Sequence, residues 1–193
     1  MTGQTPRTEA DAWPTSRFAS IVADPPWAFT FSTRKSQAGN NGWHGGADHH
    51  YPLMAVGEIE ALPVRSVAGS DSVLFLWTPN SQLRSGLQVM SAWGFEFKNV
   101  LTWVKTSKGD PGRSAFGTGY WLRGATEQVL IGVKGRPKPQ SRSVVTWFSA
   151  PPERHSKKPD AFYRIAERLT VGPRLDLFAR QQRDGWTAWG DEA

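Results

Sequence analysis

The chain has 193 residues, a formal net charge of +6, 38% hydrophobic residues, 19 glycines, ten tryptophans and no cysteine. That length suits one domain with one core, and the lack of cysteine excludes disulfides, thiolate metal sites and a cysteine nucleophile. No apolar run reaches the length of a membrane span and the first residues lack a leader's charged-then-apolar layout, so a cytoplasmic protein with no membrane partner is expected.

Residues 1–17, rich in Thr, Pro, Ala and Arg, read as a loose arm, and 18–193 as a single domain. Residues 18–23 form an apolar run of strand length, stopped by Asp24-Pro25-Pro26. From 28 to 52 the chain is rich in Gly, Asn, Ser and His, and a loop that long is usually functional. Residues 72–77 predict a buried strand. Asn80 is placed to cap a helix with Leu83, Leu87 and Met90 on one face and Gly94 as its stop. Residues 100–104 and 128–133 predict further strands on either side of a second Gly-rich loop, 106–124. Pro159 suits the first turn of a helix whose stripe is Phe162, Ile165, Ala166 and Leu169, closed by Gly172-Pro173. Residues 175–178 predict the last clear strand. This alternation indicates an α/β domain with a mostly parallel sheet, in which ligands bind beyond the carboxyl ends of strands. It directs attention to 24–27, 78–80, 105 onward and 179–183.

Asp24-Pro25-Pro26-Trp27 follows a strand directly. It reads either as a strand-ending turn or as chemistry. An exocyclic amino group is a poor nucleophile because its lone pair is delocalised into the ring. A carboxylate and a backbone carbonyl accepting its hydrogens favour the tetrahedral nitrogen that attacks a methyl group. Pro25 offers a carbonyl without an N–H on a stiff backbone, and Trp27 a flat surface for an extruded base.

Lys157 and Lys158 stand where a helix begins, against the macrodipole, while Asp160 complements it. They read as a solvated face, or as partners of that helix end in holding an anion such as a carboxylate. Asp176, in an apolar strand, needs a partner, and Arg180 just beyond is the nearest candidate. His44, Asp48, His49 and His50 are the one metal-like cluster, but adjacent histidines in a Gly-rich loop seldom close a tetrahedral site, so no metal is expected. Tyr51 reads as a gate or stacking group. Lys134, Arg136, Lys138 and Arg142, interleaved with prolines, read as a solvated loop or as a strip that tracks phosphates. With the net charge and the tryptophans, this makes nucleic acid the expected partner.

From about 19 to 192 the chain resembles the MT-A70 family of adenine-N6 methyltransferases, in its bacterial or phage form. The resemblance is carried by Ala23-Asp24-Pro25-Pro26-Trp27, His50-Tyr51-Pro52-Leu53-Met54, Leu101-Thr102-Trp103-Val104-Lys105 and Gly119-Tyr120-Trp121-Leu122-Arg123 with Glu127. It continues through Ser156-Lys157-Lys158-Pro159-Asp160, Leu175-Asp176-Leu177-Phe178-Ala179-Arg180 and Trp189-Gly190-Asp191-Glu192. It implies a circularly permuted, Rossmann-like class I methyltransferase with S-adenosylmethionine as cofactor. It implies a catalytic Asp24-Pro25-Pro26-Trp27, and contacts of Glu127 and Ser156 with the target adenine. It further implies that Asp24, Lys158, Asp176, Arg180, Gln181, Gln182, Arg183, Asp191 and Glu192 surround the cofactor. Asp191 stands where members usually carry Asn, and a carboxylate can accept from a ribose hydroxyl but not donate. DNA is the first expected substrate. RNA, cytosine N4, and a non-catalytic nucleic-acid-binding subunit are the alternatives. Little chain remains for a target-recognition domain, so specificity should be short or should depend on a protein partner.

Overall fold

In the computed structural model, which describes residues 12–28, 53–117, 121–153 and 157–190, the first apolar run forms β1 with the predicted bounds, Phe18–Ala23. The other strands are β2 (Ala68–Thr78), β3 (Glu96–Ser107), β4 (Asp110–Ser114), β5 (Thr126–Lys134), β6 (Trp147–Ala150), β7 (Arg174–Leu177) and β8 (Trp186–Trp189). They make one eight-stranded sheet in the order β4-β3-β5-β2-β1-β7-β8, with β6 paired to β3. The helices are α1 (Val56–Glu60), α2 (Val64–Val67), α3 (Leu83–Ala92) and α4 (Asp160–Leu169). No helix among the described residues is long and apolar enough to cross a membrane.

The expected α/β class holds, but the mostly parallel sheet does not: the sheet is mixed. β1 pairs in parallel with β2 and β7, β7 with β8, and β3 with β6. β5 runs antiparallel to both β2 and β3, and β4 folds back on β3. A strand buried on both faces reads as the same apolar run in either direction, so β5 carried no mark of its reversal. That reversal matters for the site. It brings the first residues of β5 to the edge where β1 and β2 end.

The pleat divides the core. Ile21, Ala23, Leu74 and Leu76 pack on one face with Ile59, Val64, Val89, Met90 and Trp93 from α1 to α3 and their flanks. Val22, Phe75 and Trp77 pack on the other with Phe162, Tyr163 and Ala166 of α4. Indole N–H groups tie elements together: Trp93 Nε1 donates to Ile59 O at 2.9 Å and Trp103 Nε1 to Ala150 O at 2.9 Å.

Both long helices sit where expected, with corrected faces. α3 buries Gly86, Val89 and Met90, while Leu83 and Leu87 are 36% and 43% exposed. Gly86 is small of necessity, since a Cβ there would lie 2.7 Å from the Thr78 side chain. Asn80 does not cap α3. A 3-10 turn precedes the helix, and the Asn80 amide donates instead to Thr126 O at 3.2 Å and Oγ1 at 3.0 Å. In α4, Phe162 and Ala166 are buried, Ile165 and Leu169 only partly, and Tyr163 joins the buried side. The loop 106–124 contains β4, which pairs back to β3 through a turn at Gly109, φ +91°. β6 and β8, four residues each, are too short to show a period in the sequence.

Candidate active site

The carboxyl end of β1 opens into a cavity of about 520 Å³, within the range of small-molecule sites. Asp24, Pro25, Pro26 and Trp27 line it, with Pro79 and Asn80 after β2, Trp103 and Lys105 of β3, Thr126 and Glu127 of β5, Lys158 before α4 and Arg180 after β7. These residues come from separate elements, brought to one edge by the sheet order.

The tetrapeptide is fixed by its backbone. Asp24 N–H donates to Leu177 O at 3.4 Å, Trp27 N–H to Pro25 O at 2.9 Å, and Met54 N–H to Pro26 O at 2.8 Å. Pro25 O, expected to be free for a substrate, thus already accepts one hydrogen bond and keeps its second lone pair. Trp27 is 4% exposed, and its indole N–H donates to Trp77 O at 3.0 Å. Trp27 borders the cavity, but most of its ring is core. The open stacking face expected of it is correspondingly small.

Five charges meet around Asp24, each acid held between cations. Lys105 Nζ lies 3.1 Å from Glu127 Oε2, and Lys158 Nζ lies 2.9 Å from Glu127 Oε1 and 3.1 Å from Asp24 Oδ1. Arg180 Nη2 stands 3.7 Å from Asp24 Oδ2. Lys158 is 9% exposed, and its ammonium also sits 5.0 Å from the centre of the Trp77 ring. Burial of this kind is tolerated only because each ion is paired. Burial pushes the Asp24 carboxyl above the ordinary carboxylate range; Lys158 and Arg180 offset this in part, and Glu127 adds to it. Burial acts on Glu127 in the same direction, but Lys158 and Lys105 outweigh it and hold that carboxyl below its usual value. For Lys158 burial favours the neutral amine, yet the two carboxylates raise its proton affinity above that of an ordinary lysine. The lysine therefore stays charged.

Arg180 reaches Asp24 because the chain turns sharply after β7. Phe178 adopts φ +63°, a left-handed conformation that costs an aromatic residue roughly 1–3 kcal/mol and clusters at functional sites. Asp176 does not pair with Arg180, as its position suggested. It receives a hydrogen bond from Tyr163 Oη at 2.8 Å and is 4% exposed. Burial, reinforced by Asp24, pushes its carboxyl up to about 7, against the Tyr163 hydrogen bond and Arg183. Burial and Asp176 likewise raise the Tyr163 phenol well above its usual value. Arg183 stacks 3.8 Å over the Tyr163 ring and binds Asp160 Oδ1 at 2.7 Å. A smaller cavity of about 20 Å³, bordered by Asp24, Lys158, Tyr163, Asp176, Phe178, Arg180, Gln181 and Arg183, adjoins the main one.

Of the expected residues, Asp24, Pro25, Pro26, Trp27, Glu127, Lys158, Asp176, Arg180, Gln181 and Arg183 are gathered around these two cavities. Gln182 is exposed and borders neither. Lys157 pairs with Glu153 at 3.3 Å, the solvated alternative. Lys134 and Arg136 lie at and beyond the far end of β5, with Lys134 Nζ donating to Ala68 O at 3.1 Å, so they do not line this cavity. Tyr51, Ser156, Asp191, Glu192 and the histidines of 44–50 fall outside the described residues. Sequence reasoning gave no individual role to Lys105, Asn80 or Trp103 at this site. Their signal was a place just after, or at the end of, a strand and, for Trp103 and Lys105, membership of a segment that carries the family resemblance.

The MT-A70 family model matches residues 18–192. The Type II methyltransferase M.MunI of Mycoplasma sp is 34% identical over 93% of this chain and 79% of its own length. The N(6)-adenosine-methyltransferase MT-A70-like protein of Arabidopsis thaliana is 29% identical, and the human N(6)-adenosine-methyltransferase catalytic subunit METTL3 is 28% identical. Each of these two matches covers 91% of this chain, which spans only 24% and 28% of their lengths.

Proposed function

The chain belongs to the MT-A70 family, and on that premise we propose that it transfers a methyl group from S-adenosylmethionine to N6 of adenine in DNA, with residues 18–193 as one permuted methyltransferase domain. The observation that carries the reading is Asp24, a largely buried carboxylate that lines both cavities and is paired with Lys158 and Arg180. The eukaryotic relatives' names specify N(6)-adenosine as acceptor. What favours DNA over RNA in this reading is the extent of the match, 79% of the bacterial Type II methyltransferase against about a quarter of the eukaryotic proteins.

The residues fit the cofactor. Lys158 just before ten-residue α4 suits a carboxylate, the Asp24 carboxylate suits a cationic group, and Gln181 and Arg180 suit ribose hydroxyls. When bound, S-adenosylmethionine would supply an electrophilic methyl group, the pair of its S–CH3 bond staying on sulfur to leave a neutral thioether. Asp24 accepts a hydrogen bond from the exocyclic N–H of adenine, which concentrates electron density on N6 as it attacks. As the N6–methyl bond forms, N6 carries a surplus proton, and the burial-raised proton affinity of Asp24 makes its carboxylate the acceptor. The second lone pair of Pro25 O can hold the other amino hydrogen. Lys158 and Arg180 fix the carboxylate beforehand, so little reorganisation is needed in the transition state. Glu127, held by a lysine on each oxygen, remains ionised and can accept from the base. Incubation with S-adenosylmethionine and DNA or RNA, followed by mass spectrometry of the nucleosides, tests the proposal. N6-methyladenosine in RNA alone would reverse the substrate order, and no methylated adenine in either would remove the reaction.

A further inference from the structure

A groove of about 350 Å³ lies between α4 and β6, apart from the two cavities of the site. Val145, Trp147, Ala161 and Ile165 form its apolar walls, and Arg164 and Arg168 stand on its rim. Val145 is 62% and Trp147 55% exposed, which is unusual in a protein whose other tryptophans mostly serve the core. Arg168 donates to Ser143 Oγ at 2.6 Å, which holds it beside the groove without neutralising it.

The charge of this face is one-sided. The two acids of α4 are engaged elsewhere, Asp160 by Arg183 and Glu167 by the Trp186 indole. Neither Arg164 nor Arg168 has a carboxylate within 4.0 Å among the described residues. The loop carrying exposed Arg136, Lys138 and Arg142 reaches the same end of α4, where Gln140 N–H donates to Leu169 O at 2.9 Å. Asp160, already bound by Arg183, acts on Arg164 at longer range, and the Arg136 backbone N–H donates to Asp71 Oδ1 at 2.7 Å, yet on this face the cations outnumber the acids. Indole surface flanked by guanidinium groups without carboxylate partners suits a strand of nucleic acid, whose bases and sugars offer flat faces and whose phosphates are regularly spaced.

The position is also apt. Lys158 lies two residues before the same helix, and at 1.5 Å per residue Arg164 and Arg168 stand about 6 and 12 Å along the axis from Asp160, its first residue. In a duplex that rises about 3.4 Å per base pair, this is a few base pairs from the target. We propose that the groove between α4 and β6 carries the phosphodiester backbone flanking the target adenine, with Arg164 and Arg168 on phosphates and Trp147 against a neighbouring base or sugar. The proposal rests on the nucleic-acid substrate argued above. It assigns recognition of the flank to a face that the methyl-transfer chemistry does not use.

The test is fluorescence anisotropy of the full chain with a labelled DNA duplex of mixed sequence over a range of salt, using R164Q/R168Q and W147A. The double variant should bind about tenfold or more weakly near physiological salt, with a log–log salt slope shallower by roughly 1.8, since each lost phosphate contact removes about 0.9. W147A should bind about fivefold or more weakly, with an unchanged slope. Calorimetric affinity for S-adenosylmethionine should be unaltered in all variants, which also shows that the site is folded. Unchanged affinity and slope in the double variant would overturn the proposal. So would a self-association that only the double variant loses, because the groove would then be a protein interface. If the wild type gives no methylated adenine while the double variant still loses binding, the reaction fails and the groove stands. If the wild type methylates adenine and the variants bind as it does, the reaction stands and the groove fails.

Discussion

Lys158 Nζ stands 3.1 Å from Asp24 Oδ1, although the two residues come from opposite ends of the chain. Asp24 follows the first strand of the sheet, and Lys158 precedes its last long helix. Removing one partner of a buried pair leaves an uncompensated charge, at a cost of about 3–5 kcal/mol. Lys158→Met should therefore lower the unfolding free energy by roughly that amount in urea titration. It should also weaken S-adenosylmethionine binding by calorimetry. A variant as stable as the wild type would show that the pair does not hold the site.

Trp27 is expected to act through the core as much as through a substrate. It is 4% exposed and its N–H is committed to Trp77 O. Trp27→Ala should cost about 3–5 kcal/mol of stability, and Trp27→Phe much less, chiefly a hydrogen bond worth roughly 1 kcal/mol. Both are measured by denaturant midpoint. If the alanine variant keeps full stability and loses only nucleic-acid affinity, the indole is a stacking platform and not a wall.

Asp176 should imprint a pH dependence on stability. Its carboxyl titrates at about 7 in the folded protein, against an ordinary value of about 3.9 when unfolded. A raised acid favours the folded state while protonated, so this stabilisation is fully present below about pH 4 and is lost as the pH climbs to 7. The difference of about three units corresponds to an upper limit of about 4 kcal/mol. Asp176→Asn keeps an acceptor for Tyr163 and removes the titration. Urea midpoints between pH 5 and 8 should fall more steeply in the wild type than in the variant, and parallel curves would contradict the burial of a protonated acid.

Gly190 allows the chain end to pass close to the turn after β7. A Cβ there would lie 2.6 Å from Ala179 N and 2.7 Å from Ala179 O, backbone atoms with no room to yield. Gly190→Ala should displace the Phe178–Arg180 turn, weaken cofactor binding and lower stability together. Unchanged cofactor affinity would separate the tail from the pocket. The tail is structural as well: β8 pairs in register with β7, and Trp189 packs against Trp13 and Phe178. Deleting residues from 189 onward should therefore cost folding as well as binding.

The legible part of this protein was the part written locally. β1 showed its bounds because an apolar run is cut by two prolines, and Asp24 stood out because a carboxylate precedes them. Lys158 was separable from Lys157 only by resemblance, and the structure gives the reason: one side chain is buried between two carboxylates, the other pairs with a surface glutamate. What was not legible depended on direction and partnership. The reversal of β5 places Glu127 beside Lys105 at the site, and no periodicity encodes it. Asp176 looked like a partner for Arg180 because the two are neighbours in sequence. The left-handed turn at Phe178 sends Arg180 to Asp24, and a tyrosine on α4 takes its place.

The role given to Asp24 is exposed most plainly by nucleoside mass spectrometry of DNA incubated with S-adenosylmethionine and either the wild type or Asp24→Asn. The wild type should produce N6-methyladenine. The variant should remain folded and bind nucleic acid, yet be slower by a hundredfold or more, the loss of about 2.7–4 kcal/mol expected when a preorganised transition-state contact is removed. Methylation by folded Asp24→Asn at a rate near that of the wild type would contradict this mechanism, since the carboxylate clamped by Lys158 would then have no part in the reaction.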